Sequence, residues 1–249
     1  MAKSMGTTQF INAKLATDKP IFSRSKINHA PPHPVTHLVS SNRRLALILA
    51  NRTVQRVDQT RQDDKIENLD VSKIIGSKSK VHSAFLDPMG FHLLLSLKPT
   101  DPDALPDLLY IPPRSTNQPV KPRMSSKARG YLVTSVAWNS HSNQTSTGPI
   151  LMGTTRGLIF EADISTESSV FSSGSIEKVW KQVYDLGKGQ ASAPITGLVY
   201  HRVPKSKKFF ILGMFFVSRI IIILVIFMIC CYCTSLYIII IIYYKTIIL

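Results

Sequence analysis

The chain has 249 residues, enough for one large domain or two smaller ones, and carries 30 Lys and Arg against 15 Asp and Glu, a formal charge of +15. All 15 acidic residues and 28 of the 30 basic ones lie in residues 1–208, which leaves that body at +13 and free of cysteine. A body without cysteine excludes a disulfide framework and a Cys-ligated zinc site within it. The opening "MAKSMGTTQF" lacks the continuous apolar run of a secretory signal, so a cytosolic body is expected, and the sequons at Asn51 and Asn143 are read as chance. The basic residues are scattered; the densest cluster is "KSKK" (205–208), with no aromatic residues interleaved. That pattern favours a solvated basic surface with mild attraction to anionic membranes over nucleic-acid binding.

In chain order, residues 1–34 read as an extended lead-in ending in "NHAPPHP". Its prolines forbid a helix, so the i, i+4 spacing of His29, His33 and His37 loses the geometry of a metal site, and all three are expected on loops or strand edges. From Val35 short strands alternate with turn signals, the mark of an all-β sandwich, barrel or propeller. "VTHLVSS" (35–41), "RLALILA" (44–50) and "TVQRVD" (53–58) form a first group. "VHSAFLD" (81–87), "FHLLLSL" (91–97) and "DLLYI" (107–111) form a second. "YLVTSVAW" (131–138), "GPILMGT" (148–154), "GLIFEADI" (157–164) and "EKVWKQVYDL" (177–186) form a third; "PITGLVYH" (194–201) and "KKFFILG" (207–213) open a fourth.

The first strands centre on His37, His82, Val133 and Thr196, at intervals of 45, 51 and 63 residues. Four-stranded repeats of ~40–50 residues are the signature of propeller blades, the longer intervals being accounted for by polar insertions (115–130, 165–175). "DPMG" (87–90) has Pro and Gly where a type I turn prefers them, and "TTRG" (154–157) puts Gly157 at a left-handed position closing a hairpin. In that hairpin Ile150, Met152, Ile159 and, less strictly, Leu158 alternate as core. Trp138 and Trp180 fall in strands and are expected to pack between blades.

Reaction chemistry is sparse. There is no nucleophile elbow, phosphate loop, H-E-x-x-H or paired Cys-x-x-Cys. "GTTRG" precedes no helix, Asp63 and Asp64 sit in a polar loop, and "CCYC" (230–233) has no histidine near it. No catalytic, cofactor-binding or metal-ligating residue is assigned, and a binding scaffold is expected in place of an enzyme.

"KVHSAFLDPMGFHLLLSL" (80–97), "GYLVTSVAWN" (130–139) and "TGPILMGTTRGLIFEADIS" (147–165), with "PIFSRSKINHAPPHPVTHLVSSNRRLALILANRTVQRVD" (20–58), resemble the N-terminal β-propeller of the vacuolar protein sorting-associated protein 18 (deep orange) family. The resemblance spans roughly residues 20 to 212. It implies a subunit of the HOPS and CORVET tethers at late endosomes and lysosomes or vacuoles, peripheral on the cytosolic face. The implied partners are the other class C vacuolar sorting subunits and, indirectly, Rab GTPases and SNAREs. Family members continue into an α-solenoid and a RING finger, for which this chain offers no zinc ligands. The implied fold is an incomplete β-propeller of about three blades and the start of a fourth, over 35–212, against about seven blades in a closed ring. An open ring leaves a strand edge exposed, which favours association.

Residues 213–249 are expected to form a hydrophobic helix. Ile220 to Tyr244 is a 25-residue run without charge, long enough to span a membrane, and "KSKK" before it would suit a tail anchor. That gives an alternative function, a single-pass membrane adaptor with a propeller-like cytosolic head. Composition gives a competing origin: 14 of the 41 residues after Lys208 are Ile and none is Ala, as translated AT-rich non-coding DNA would be. Gly213-Met214-Phe215 can be encoded with a splice-donor sequence, so a retained intron beginning near Gly213 is the other reading of the tail.

Overall fold

A computed structural model describes residues 29–60, 66–114, 119–139, 142–166, 175–185 and 193–200, and, as backbone, 201–202, 208–217, 220–231 and 234–245. Residues 31–249 form one compact unit, to which every element below belongs. Most of the expected lead-in and the pair Asp63–Asp64 lie outside the described residues. Sheet one comprises β1 (Val35–Ser41), β2 (Arg44–Leu49), β3 (Thr53–Asp58) and β4 (Glu67–Asp70), followed by a single helical turn, α1 (Ser72–Ile75). Sheet two holds β5 (Ser79–Leu86), β6 (Leu93–Pro99), β7 (Asp107–Ile111) and β8 (Arg123–Met124). Sheet three holds β9 (Val133–Ala137), β10 (Ser146–Thr154), β11 (Leu158–Ser165) and β12 (Glu177–Asp185). A fourth sheet holds β13 (Ile195–Arg202), β14 (Lys208–Val217), β15 (Ile220–Cys231) and β16 (Thr234–Lys245).

Each sheet is an antiparallel meander with its strands in chain order. The sequence groups map one to a sheet, and His37, His82, Val133 and Thr196 fall in the first strands β1, β5, β9 and β13. Those first strands touch in succession, β1 with β5, β5 with β9 and β9 with β13. Four-stranded sheets arrayed by their first strands are consistent with a partial β-propeller. Within the first three sheets two strands escape the sequence pattern, β4 ("ENLD") and β8 ("RM"). Each is the last strand of its sheet and half-exposed, so no apolar alternation marks it.

The core shows why the middle of the chain reads as apolar runs. In β6, Leu93, Leu95 and Leu97 join Leu109 and Ile111 of β7 in a cluster with Ala46, Ile48 and Val54 of sheet one, Val71 just before α1 and Ile75 within it. The alternate residues Leu94, Leu108 and Tyr110 join a second cluster with Val133, Ile150, Met152, Ala162 and Ile164 of sheet three. Successive side chains of a strand point to opposite faces. Sheet two therefore buries both faces, and its strands need apolar residues at nearly every position. Trp180 of β12 and Trp138, which lies just past the end of β9 and not in a strand, pack against the second cluster, whose residues come from sheets two and three.

The hairpin of β10 and β11 pairs Ile150 with Ala162, Met152 with Phe160 and Gly153 with Ile159. Ile150, Met152 and Ile159 are fully buried and Leu158 is half-buried. Gly157 closes the turn at φ +74°, its N–H donating to the Thr154 carbonyl at 3.3 Å. Toward the fourth sheet, the Thr134 and Ser135 hydroxyls both donate to the Ile195 carbonyl, at 2.6 and 2.8 Å. A Cβ on Gly153 would lie 2.6 Å from Ile195 Cγ2, so a residue without a side chain lets β13 sit this close.

The tail departs from expectation. The expected helix is not supported: in the described residues β14, β15 and β16 pair in continuous antiparallel register, Lys208 with Ile229 through Val217 with Ile220, then Ile220 with Lys245 through Cys231 with Thr234. The fourth group is thus a whole four-stranded sheet and not the start of one. Two physical causes act together. Ile and Val are stiff at χ1 and favour strands, and the free edge of β13 offers a ladder to the chain that follows. No helix among the described residues is long and apolar enough to cross a membrane.

Candidate functional site

The hairpin between β5 and β6, "DPMGFH" (87–92), is where three sheets meet. The turn is closed by the Gly90 N–H donating to the Asp87 carbonyl at 2.9 Å. The Asp87 side chain is fully buried. Its carboxylate accepts from the backbone N–H of Met89 at 3.2 Å, Phe91 at 2.5 Å and His92 at 2.7 Å, and from the Ser142 hydroxyl at 2.8 Å. Ser142 belongs to the segment leading into β10, so one carboxylate both shapes the turn of sheet two and ties it to sheet three.

His92, also fully buried, repeats the link. Its Nε2 faces the Asn143 carbonyl at 2.5 Å, and because a carbonyl can only accept, Nε2 carries the proton. Nδ1 then accepts from the Tyr110 hydroxyl at 2.7 Å, with the two rings stacked at 5.9 Å. Burial lowers the His92 pKa from its ordinary value against the pull of the Asn143 bond and the Asp87 charge. Burial likewise raises that of the Tyr110 phenol. Asp87, His92 and Tyr110 are residue types used in acid–base catalysis, but here their polar atoms are engaged in bonds between neighbouring elements. The arrangement fastens sheets.

Since the unfolded chain takes up the His92 proton near pH 6.5 and the folded one only lower, the contribution of neutral His92 is present above that pH and is lost as pH falls toward the folded value. The half-buried His82, lowered by burial, Lys98 and His37, acts in the same sense. The melting temperature should therefore drop as pH falls from 7 through the ordinary histidine range, and His92→Gln should flatten that slope more than His82→Gln does. An unaltered slope in His92→Gln would contradict the assignment.

Toward sheet one, the Ser41 hydroxyl donates to the Pro88 carbonyl at 2.7 Å and Arg44 Nη1 donates to the Met89 carbonyl at 2.6 Å. The Arg44 guanidinium pairs with Asp58 at 3.1 Å and lies 4.6 Å above the Phe91 ring. Gly90 sits at φ +73°, and a Cβ there would come within 2.8 Å of two Arg44 side-chain carbons. Gly90→Ala meets both penalties and should cost about 1–3 kcal/mol; a neutral change in the urea midpoint would contradict this packing.

Arg56, almost wholly buried, spans the same interface. It pairs with Glu67 through Nε at 2.8 Å and donates from Nη1 to the Pro112 carbonyl at 2.7 Å. Burial draws its pKa down, Glu67 opposes this, and the charge of Arg114 adds to the fall. Between these groups lies a cleft of about 90 Å³, lined by Arg44, Arg56, Asp58, Glu67, Phe91 and Arg114 among others.

His37 lies in β1, its Nε2 donating to the His82 carbonyl at 3.3 Å, while His33 lies in a bend before that strand. Among the described residues no group of three His, Cys, Asp or Glu side chains is placed to hold a metal. Sequence reasoning passed over Asp87 as a turn residue and His92 as part of a strand. The one available signal was an Asp opening a tight turn between two apolar runs.

A family model described as the Pep3/Vps18/deep orange beta-propeller domain matches residues 20–221. The vacuolar protein sorting-associated protein 18 homolog of Danio rerio is 35% identical over 208 residues, covering 81% of this chain and 20% of that protein. The protein of the same description from Drosophila melanogaster is 38% identical over 206 residues, covering 77% and 20%. The chain spans about a fifth of the length of these curated relatives.

Proposed function

The chain belongs to the Pep3/Vps18/deep orange β-propeller family, and from that premise we propose that it acts as a scaffold portion of the HOPS and CORVET tethers. Its task is to present propeller surface to the other class C vacuolar sorting subunits on the cytosolic face of late endosomes and lysosomes or vacuoles. Rab GTPases and SNAREs are engaged indirectly, through those subunits. The observation that carries this reading is the family match over 20–221. It is supported by polar side chains that join one sheet to the next, as a surface that must keep its shape requires. A scaffold needs no reacting group, so a non-enzymatic role follows from the same reading.

Affinity purification of the tagged chain from cells, with the subunits quantified by mass spectrometry, tests it. The class C subunits should be enriched over an unrelated propeller of equal charge. Equal recovery with the charge-matched control would reject the reading.

A further inference from the structure

The cleft between sheets one and two has an unsettled charge balance. Three guanidinium groups line it with two carboxylates. Arg44 is matched by Asp58 and Arg56 by Glu67, while Arg114 has no acidic partner among the described residues. Arg56, which also lines the cleft, has a buried Nη2 that meets no hydrogen-bond acceptor among the described residues. A buried donor on a charged group left without an acceptor costs about 1–3 kcal/mol or more. A native structure keeps such a group where something else can satisfy it. An unpaired guanidinium beside an orphaned guanidinium N–H calls for an oxyanion.

We propose that this cleft receives a carboxylate, the Glu side chain of an acidic peptide segment, held by Arg114 beside the Arg56 guanidinium. Size and charge select it. About 90 Å³ is well short of the roughly 300–1,000 Å³ that enclose a drug-sized ligand, so one side-chain head group fits and a bulky ligand does not. The net charge of the lining is +1, which one carboxylate neutralises, whereas a phosphate monoester at about −1.5 to −2 would overshoot it against Asp58 and Glu67. Leu45, Val57 and Leu86 also line the cleft and give the methylene groups of a Glu apolar wall to lie on. The inference goes beyond the tethering role and does not depend on it, because its test needs no other subunit.

The full chain is titrated by calorimetry with a capped tetraglutamate peptide, its tetraglutamine counterpart, sodium acetate and inorganic phosphate. Arg114 is half-buried and its replacement breaks no ion pair within the described residues, so Arg114→Glu is expected to keep the fold, which its urea midpoint checks. Saturable binding of tetraglutamate is expected, weakened about tenfold or more in Arg114→Glu and less in Arg114→Lys, with acetate competing weakly. Lys178→Glu, on the exposed face of β12, should leave the affinity within about twofold, since a surface charge contributes little. An equal loss in Lys178→Glu would mean diffuse attraction to a basic protein. That result, tighter binding of phosphate than of the peptide, equal binding of tetraglutamine, or no saturable binding would each overturn the proposal.

Discussion

Replacing Asp87 with Ala should destabilise the chain by about 3–5 kcal/mol, as breaking a buried charged network does. The carboxylate is fully buried and serves four donors, three of them backbone N–H groups of its own turn. Each donor left without an acceptor costs about 1–3 kcal/mol, and water entering the vacated space returns part of that sum. Asp87→Asn keeps the shape but turns an amide N–H₂ toward donors, so it should recover only a minor part of the loss. Urea unfolding measures both. A midpoint shift worth less than about 1 kcal/mol in Asp87→Ala would mean that the turn is held by its Pro88 and Gly90 geometry and not by the carboxylate.

Leu94→Ala and Leu95→Ala should each cost about 2–5 kcal/mol, the usual range for emptying a buried leucine site. Both side chains are fully buried, yet Leu94 packs in the cluster shared with sheet three and Leu95 in the cluster shared with sheet one. Adjacent in sequence, they have no packing partners in common within these clusters. The double variant should therefore lose the sum of the two single losses to within about 0.5 kcal/mol. Strong coupling between them would mean that sheet two is not a slab with two separate interfaces.

Much of this architecture is legible in the residues. Alternation in "VTSVA" and turn chemistry in "DPMG" and "TTRG" locate strands and hairpins, because these signals are local. "HLLLSL" reads as a strand even without alternation, since a short apolar run bounded by turn signals is what a strand buried on both faces needs. β4 and β8 stay hidden because solvated end strands carry no apolar code. The tail is misread for the opposite reason. A 25-residue apolar run satisfies the length of a membrane helix, and hydropathy cannot register that its β-branched residues favour strands.

Of the inter-sheet site, only the turn that Asp87 opens is legible; the links between sheets are not. Asp87 and Ser142 are 55 residues apart, His92 and Asn143 are 51 apart, and neither pair has a spacing rule to announce it. The cleft residues Arg44, Arg56 and Arg114 likewise come together only through the stacking of sheets. In sequence they are three among thirty scattered basic residues.

The clamped middle sheet is tested most directly by native-state amide hydrogen exchange on the full chain. Backbone amides buried between two packed faces exchange only through global opening, whereas edges open locally at much lower cost. The paired amides of β6 and β7 should thus be the slowest in the chain and share one opening free energy, equal to that from urea unfolding. Those of β4 and β8 should exchange orders of magnitude faster. Exchange in β6 and β7 as rapid as in β4 and β8 would contradict the burial of sheet two between its neighbours.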